Sequence, residues 1–137
     1  MKLYQEKRLI TRESGELYMT RWYLIKNSMF NLMLHKIVLS DHECVHDHPW
    51  NFISLILKGG YVEHSEREVR NGYIKKWSKI YHPFQILYRK AEHRHRLEIH
   101  QTCWSLVLRF KVRRKWGFWT KLGWVHWKLF NEKENCG

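Results

Sequence analysis

Short runs of β-branched and aromatic residues, separated by polar turns, follow one another along most of the 137-residue chain. This pattern is typical of strands, and no amphipathic helix of ten or more residues is visible. Asn71-Gly72, between Val69-Arg70 and Tyr73-Ile74, is the strongest hairpin signal. The predicted strands lie at residues 17–25, 31–39, 52–57, 61–64, 85–89, 94–100, 104–113, 116–119 and 124–129.

Many short strands in a small chain predict an all-β domain. Because closure removes exposed strand edges, we expect a barrel-like double sheet. At this length the chain has room for one hydrophobic core. We therefore expect a single domain over residues 1–137, with its core at about 17–130 and a flexible tail at 131–137.

Two strands allow a prediction of which side chains face the core. From 106 to 112 the even positions are apolar, so period-2 geometry predicts that they point inward. The odd positions would then form an outward row of four cations: Arg109, Lys111, Arg113 and Lys115. In residues 93–99, His93 and His95 share a face with Leu97 and Ile99, and are predicted to point toward the core.

Charge is distributed unevenly along the chain. The 25 Lys and Arg exceed the 13 Asp and Glu, which gives a formal charge of +12, and residues 69–137 carry the whole excess. This asymmetry is consistent with an anionic partner, a nucleic acid or an acidic protein, for one surface. A solvated surface without a partner explains it equally well.

Several classes are disfavoured by the sequence. The longest apolar run, 52–57, is far shorter than the roughly 20 residues of a membrane span, and no apolar signal segment is visible, so no membrane partner is expected. The three cysteines, Cys44, Cys103 and Cys136, show no CxxC spacing. They are interpreted as reduced thiols, which favours a cytoplasmic protein.

The ten histidines are the most specific chemical signal. His46-Asp47-His48 places two imidazoles on one side of an extended strand, about 6–7 Å apart at Cα, which suits two ligands of one metal ion. An inward His95 on a distant strand could complete a three-histidine set. Spacing alone leaves two readings equally open, a metal site and hydrogen-bonded core histidines. Cys44 has the same parity, and a small buried thiol is its ordinary role.

Two blocks of the sequence resemble the cupin superfamily. Residues 44–63 contain HxH, a strand and a glycine turn, as in the first cupin motif, and residues 89–98 resemble the second motif. With the ending Trp116-Gly-Phe118 and Gly123-Trp124, the likeness is greater to small single-domain cupins of bacteriophages and some bacteria. The resemblance implies a cupin-type β-barrel (a double-stranded β-helix, or jelly roll) with metal ligands His46, His48 and His95.

The chain departs from the usual cupin pattern at two points. Phe52 occupies the position of the glutamate ligand, which leaves a three-histidine set similar to that of cupin thiol dioxygenases. Those enzymes bind Fe(II) and add dioxygen to a thiol. Glu63 is then either a fourth ligand, a hydrogen-bond acceptor behind a ligand, or a surface charge. The second motif lacks its usual glycine, so His93 competes with His95, which is favoured because Arg-Leu-Glu follows it.

Two functions from different classes follow. The first is a metal-binding, dioxygenase-like cupin that acts on a small-molecule substrate with Fe(II), or with Zn, Mn or Ni, and with Tyr61 and Trp50 lining the pocket. The second is a non-catalytic cupin whose basic second half binds nucleic acid or an acidic protein. A metal-free epimerase or isomerase is a third reading, for which no acid–base pair stands out. A homodimer is also expected. If the chain is phage-encoded, its expected location is the host cytoplasm.

Overall fold

The computed structural model describes residues 3–12, 14–131 and 136, and its architecture is all-β, as predicted. In the described residues, no helix is long and apolar enough to cross a bilayer. Two three-residue 3-10 turns occur, at Arg70–Gly72 and Trp127–Leu129. The strands are β1 (Glu6–Thr11), β2 (Leu17–Lys26), β3 (Asn31–Ile37), β4 (Phe52–Lys58), β5 (Tyr61–Glu68), β6 (Ile74–Tyr81), β7 (Ile86–Arg89), β8 (Arg94–Glu98), β9 (Cys103–Arg109), β10 (Gly117–Thr120) and β11 (Gly123–His126).

The strands form two main sheets and a hairpin. The larger sheet has the order β1-β2-β3-β9-β4-β7, the smaller has the order β6-β5-β8, and β10 pairs with β11. All of these pairings are antiparallel. The hairpin predicted at Asn71-Gly72 joins β5 to β6, and both residues adopt the positive φ angles, 68° and 74°, that such a turn needs.

The predicted facing of β9 is wrong. The residues of this strand that are buried are the odd ones, Cys103, Ser105 and Val107, whereas Leu106 and Leu108 lie on the outer face and are partly buried. The reason is that the outer face of the larger sheet is itself apolar. Trp22 of β2, for example, stacks on Trp104 of β9 at 5.7 Å between ring centroids. Where both faces carry apolar groups, period-2 alternation does not identify the inner one.

The outward row of four cations is not formed on a strand. β9 ends at Arg109, and Lys111, Arg113 and Lys115 are exposed residues of the connection that follows. Arg113 forms an ion pair with Glu92 at 3.0 Å and donates a hydrogen bond to Asn51 Oδ1 at 2.9 Å. Binding of a nucleic acid or acidic protein at this connection stays a prediction.

Three polar residues lie in line across the inner face of the larger sheet. Arg21 of β2 stands opposite His35 of β3, and His35 stands opposite Ser105 of β9. We call these three residues the polar layer. Apolar residues flank it on both sides along the strands: Met19, Ile37 and Cys103 on one side, and Tyr23, Met33 and Val107 on the other. A polar strip therefore crosses an otherwise hydrophobic interior.

Cysteine pairing also differs from the prediction. Cys44 and Cys136 form a disulfide with their Cα atoms 5.5 Å apart, and only Cys103 is a free, buried thiol. The interpretation of three reduced thiols is therefore wrong for Cys44 and Cys136. The sequence does not reveal this pair, because a disulfide across 92 residues leaves no local spacing signal. Of the predicted flexible tail, residues 132–135 and 137 lie outside the described residues.

Gly59, between β4 and β5, provides a stability test. It has φ +85°, and a Cβ there would lie 2.4 Å from the carbonyl oxygen of Thr102, whereas Gly72 has φ +74° and open space around it. Gly72→Ala carries only the cost of positive φ, about 1 kcal/mol, while Gly59→Ala adds a backbone clash, so we expect about 2–3 kcal/mol. Urea unfolding of both variants measures the difference, and equal losses would contradict the close approach.

Candidate metal centre

The segment that carries the HxH pair runs beside β8 of the smaller sheet. His46 and His95 exchange backbone hydrogen bonds of 2.9 and 3.0 Å, and His48 N donates to Ala91 O at 2.9 Å. This pairing sets His46 directly opposite His95, and the imidazole of His48 projects to the same side. The three ring centroids lie 4.7–5.0 Å apart, and one ligand nitrogen of each ring lies within 4.8 Å of the others.

Asp47, between the two histidines of the HxH pair, holds this segment on the β10–β11 hairpin. Its side chain is 1% exposed. One carboxylate oxygen accepts a bond from Gly117 N at 2.8 Å and pairs with Arg114 at 3.1 Å. The other accepts from the indole nitrogens of Trp119 and Trp124 at 3.1 and 3.0 Å. Because Asp47 has these four contacts, His46 and His48 are held in place, and we call this arrangement the clamp of Asp47.

Glu63 supports the third histidine from behind. Its carboxylate, 3% exposed, lies 2.6 Å from Nδ1 of His95, which leaves Nε2 of that ring for a ligand. Arg89 donates to the same carboxylate at 2.5 and 3.0 Å. Burial alone would raise the pKa of Glu63, but the hydrogen bonds from His95 and Arg89 and the nearby His93 together hold it below its usual range. Glu63 is therefore an anion that can orient His95 and make it a stronger donor.

The partly buried His46 and the buried His48 of the HxH pair both favour the neutral form. Burial lowers the pKa of His46 to about 4, against the opposing effect of Asp41, and lowers that of His48 well below its ordinary value. Neutral imidazole is the form that binds metals, since a ring nitrogen then offers a free lone pair. In addition, Nδ1 of His48 is buried with no hydrogen-bond partner among the described residues. A buried polar atom without a partner is costly, and coordination removes such a cost.

These observations together show that the residues fit a divalent metal ion. The imidazoles of three histidines converge, and one of them, His95, is hydrogen-bonded to the carboxylate of Glu63. A cavity lies in front of them. A three-ligand set of this kind leaves positions for exogenous ligands, as catalytic metal sites do. The donor set is all nitrogen, which suits iron, zinc, copper or nickel better than magnesium or calcium.

A cavity of about 460 Å³ lies between this site and the larger sheet. Phe52 packs against His48 at 4.8 Å between ring centroids, so the position of the usual cupin glutamate is an apolar wall. Trp50 lies 5.9 Å from His48, and Tyr61 is 7% exposed. Both residues line the cavity, and Tyr61 also belongs to a hydrophobic core cluster.

The remaining candidate residues fall outside the three-histidine set. His93 approaches the same Glu63 oxygen as His95, with Nε2 at 3.6 Å from it and 3.1 Å from Ser65 Oγ, and forms a second group with Glu63 and His95. It is His95 that the structure brings to His46 and His48. Glu63 lies behind that set rather than within it, and Cys44 is in the disulfide. Metal ligation itself stays a prediction.

Sequence reasoning missed several polar residues of the cavity wall, among them Asp41, Arg21 and His35. Asp41 accepts hydrogen bonds from the Tyr18 hydroxyl and from Leu97 N, and one of its oxygens lies 4.0 Å from Nδ1 of His46. Arg21 and His35 line the opposite wall. Arg21 shares the parity of Met19 and Tyr23 on β2, and this signal was available in the sequence.

The fold and the site define a small double-sheet β-barrel with a histidine cluster at its cavity. No family profile matches the sequence, and no curated protein does. Among solved structures, a cupin-2 domain protein of Rhodospirillum rubrum matches with a TM-score of 0.65 at 15% identity, over 86% of this chain and 77% of that one. An RmlC-like cupin from Shewanella frigidimarina gives 0.56 at 12%, over 83% and 95%. The Fe(II) form of HppE gives 0.59 at 9%, over 80% and 60%.

This chain has the fold of the cupin superfamily, as the two sequence blocks predicted. The identities are all low, so the likeness is one of architecture. The narrower likeness to phage-type cupins stays a prediction.

Proposed function

We propose that this protein is a metal-dependent cupin enzyme that holds Fe(II) on His46, His48 and His95 and catalyses an oxygenase-type reaction on a small molecule. The observation that carries the proposal is the convergence of three histidines on a cavity of about 460 Å³. The Fe(II) state of HppE, a protein of similar fold, supports the choice of iron.

Each part of the site has a definable task. A bound divalent ion would supply Lewis acidity and, in the case of iron, one-electron chemistry with dioxygen. Asp47 and Glu63 fix the histidine rings, so little reorganisation is needed when the site is loaded. Phe52, Trp50 and Phe118 border the cavity with apolar surface and exclude water from the reacting centre.

Elemental analysis tests the metal site. Protein purified without added metal, then reconstituted with Fe(II) without oxygen, should hold about one iron per chain, and the His46→Ala/His48→Ala variant should hold almost none. A His82→Ala/His100→Ala variant, in which both histidines are exposed, is the matched control and should keep its iron. A folded wild-type protein that retains no divalent metal after reconstitution would overturn the proposal.

Nitric oxide, an oxygen surrogate, tests the oxygenase part. An iron site with open positions should bind it and give the electron paramagnetic resonance signal of a high-spin iron nitrosyl. The signal should be absent in the His46→Ala/His48→Ala variant. An iron-loaded protein that gives no such signal has no accessible position for oxygen, and a purely structural metal would then be the correct reading.

A further inference from the structure

The cavity has a cationic wall opposite the three histidines. Arg21 lines it, and the nitrogen Nε of Arg21 donates to Nε2 of His35 at 3.0 Å while a terminal nitrogen donates to the Tyr23 hydroxyl at 3.3 Å. These contacts fix the guanidinium in the polar layer. A guanidinium has five N–H groups, so three remain for other partners.

No carboxylate in the described part of the chain forms an ion pair with Arg21. Among the described residues, no carboxylate oxygen lies within 4.0 Å of a nitrogen of the Arg21 side chain. The two carboxylates that line the cavity are engaged elsewhere: Asp41 with Tyr18 and Leu97, and Asp47 with the β10–β11 hairpin. Burial, together with the charge of Arg21, lowers the pKa of His35 well below its ordinary value, so His35 is a neutral partner.

A second arginine strengthens this picture. Arg12 is partly buried and also lines the cavity; a terminal nitrogen donates to Ser40 O, while its Nε is buried without a hydrogen-bond partner among the described residues. A cation that is partly removed from water loses hydration free energy, and an anionic partner offsets that loss. Two arginines on one cavity, one with an unpaired buried N–H and one without a carboxylate, form a wall that an anion would complete.

We propose that Arg21 and His35 form an anion subsite that binds the carboxylate, or a similar oxyanion group, of the small molecule that occupies this cavity. Apolar residues flank the polar layer on both sides, and a charge-assisted hydrogen bond is stronger in such surroundings than in water. The assignment of that molecule as the substrate rests on the proposed function, because the same cavity borders the three histidines. Binding of the anion itself needs no metal.

Calorimetric titration of metal-free protein with benzoate, and with benzyl alcohol as its neutral analogue, tests the subsite. We expect Arg21→Gln to weaken benzoate binding at least tenfold and to leave benzyl alcohol binding within twofold. Arg67→Gln removes an equal charge from the exposed end of β5 and should change neither. Metal-free protein is required because a carboxylate could otherwise bind the metal directly.

Further measurements cover a failure of the variant to fold and separate the two proposals. If Arg21→Gln does not fold, Arg21→Lys serves, and it should weaken benzoate binding because lysine lacks the forked geometry of arginine. Benzoate binding that is unchanged in the folded variant, or a wild type that binds none of benzoate, acetate and succinate, overturns the subsite. Arg21-dependent binding in a protein that holds no iron upholds the subsite and removes only the proposed enzymatic function.

Discussion

Replacing Asp47 by alanine is expected to lower the free energy of unfolding by about 3–5 kcal/mol and to weaken metal binding by about 10–100-fold. The carboxylate is fully buried, and its loss leaves the donors of Gly117, Trp119 and Trp124 without an acceptor. Arg114 loses its partner as well. Gly117 N is a buried donor, and leaving such a donor unpaired costs about 1–3 kcal/mol; the more exposed indole donors of Trp119 and Trp124 and the lost Arg114 ion pair add smaller losses.

Urea unfolding and competitive metal titration measure these two losses. Asp47→Asn keeps one acceptor oxygen but turns an amide donor toward other donors. Its losses of stability and of metal affinity should therefore be smaller than those of Asp47→Ala, and still measurable. Glu92→Ala is the matched acidic control, since Glu92 is about half exposed and pairs only with exposed Arg113. Near-ultraviolet circular dichroism should report the changed surroundings of the two indoles. An Asp47→Ala protein as stable as the Glu92→Ala protein would show that the clamp does not exist.

Replacing Glu63 by alanine is expected to cost about 3–5 kcal/mol, because it leaves the charge of Arg89 poorly compensated in the interior. Arg89 is 17% exposed and makes two hydrogen bonds to Glu63. Since the pKa of Glu63 is held below its usual range, the stability it contributes is present above that range and is lost as the pH falls through the folded-state value. Metal affinity should fall as well, since His95 loses its acceptor.

A double variant separates the two roles of Glu63. Glu63→Gln combined with Arg89→Met removes both charges, so much of the lost stability should return. Metal affinity should not return, because a neutral amide is a weaker acceptor for His95 than a carboxylate. Recovery of both properties together would mean that Glu63 acts on the metal site only through overall stability.

The sequence predicted the elements well where aromatic and β-branched residues are dense, as in β2, β3 and β4. It missed β1 and all but the start of β6, because Glu6–Thr11 and Ile74–Tyr81 mix charged and apolar residues without clear alternation. It placed the inner face of β9 wrongly, because the outer neighbours Leu106 and Leu108 are apolar too. The facing of a strand depends on which sheet covers it, and that information is not local.

The candidate site was partly predictable for a similar reason. HxH spacing brings His46 and His48 to one side, strand parity offers an inward His95, and the family resemblance implies all three as ligands. The clamp of Asp47 joins residues 70 or more positions apart, and the disulfide joins Cys44 to Cys136 across 92. Neither leaves a spacing signal. Arg21 lies within a strand that the sequence predicts. Its position on the inner face is not predicted, because arginine usually points to solvent.

The apolar outer face of the larger sheet gives the polar layer a role in the alignment of strands during folding. A strand that slips by one residue exchanges its two faces, and hydrophobicity opposes the slip only when those faces differ. In β9 both faces are apolar, so a slipped strand would still bury leucines. The slip would instead turn Ser105 out of line with His35 and leave His35 and Arg21 facing hydrocarbon. We therefore expect the polar layer to select the native register of this sheet.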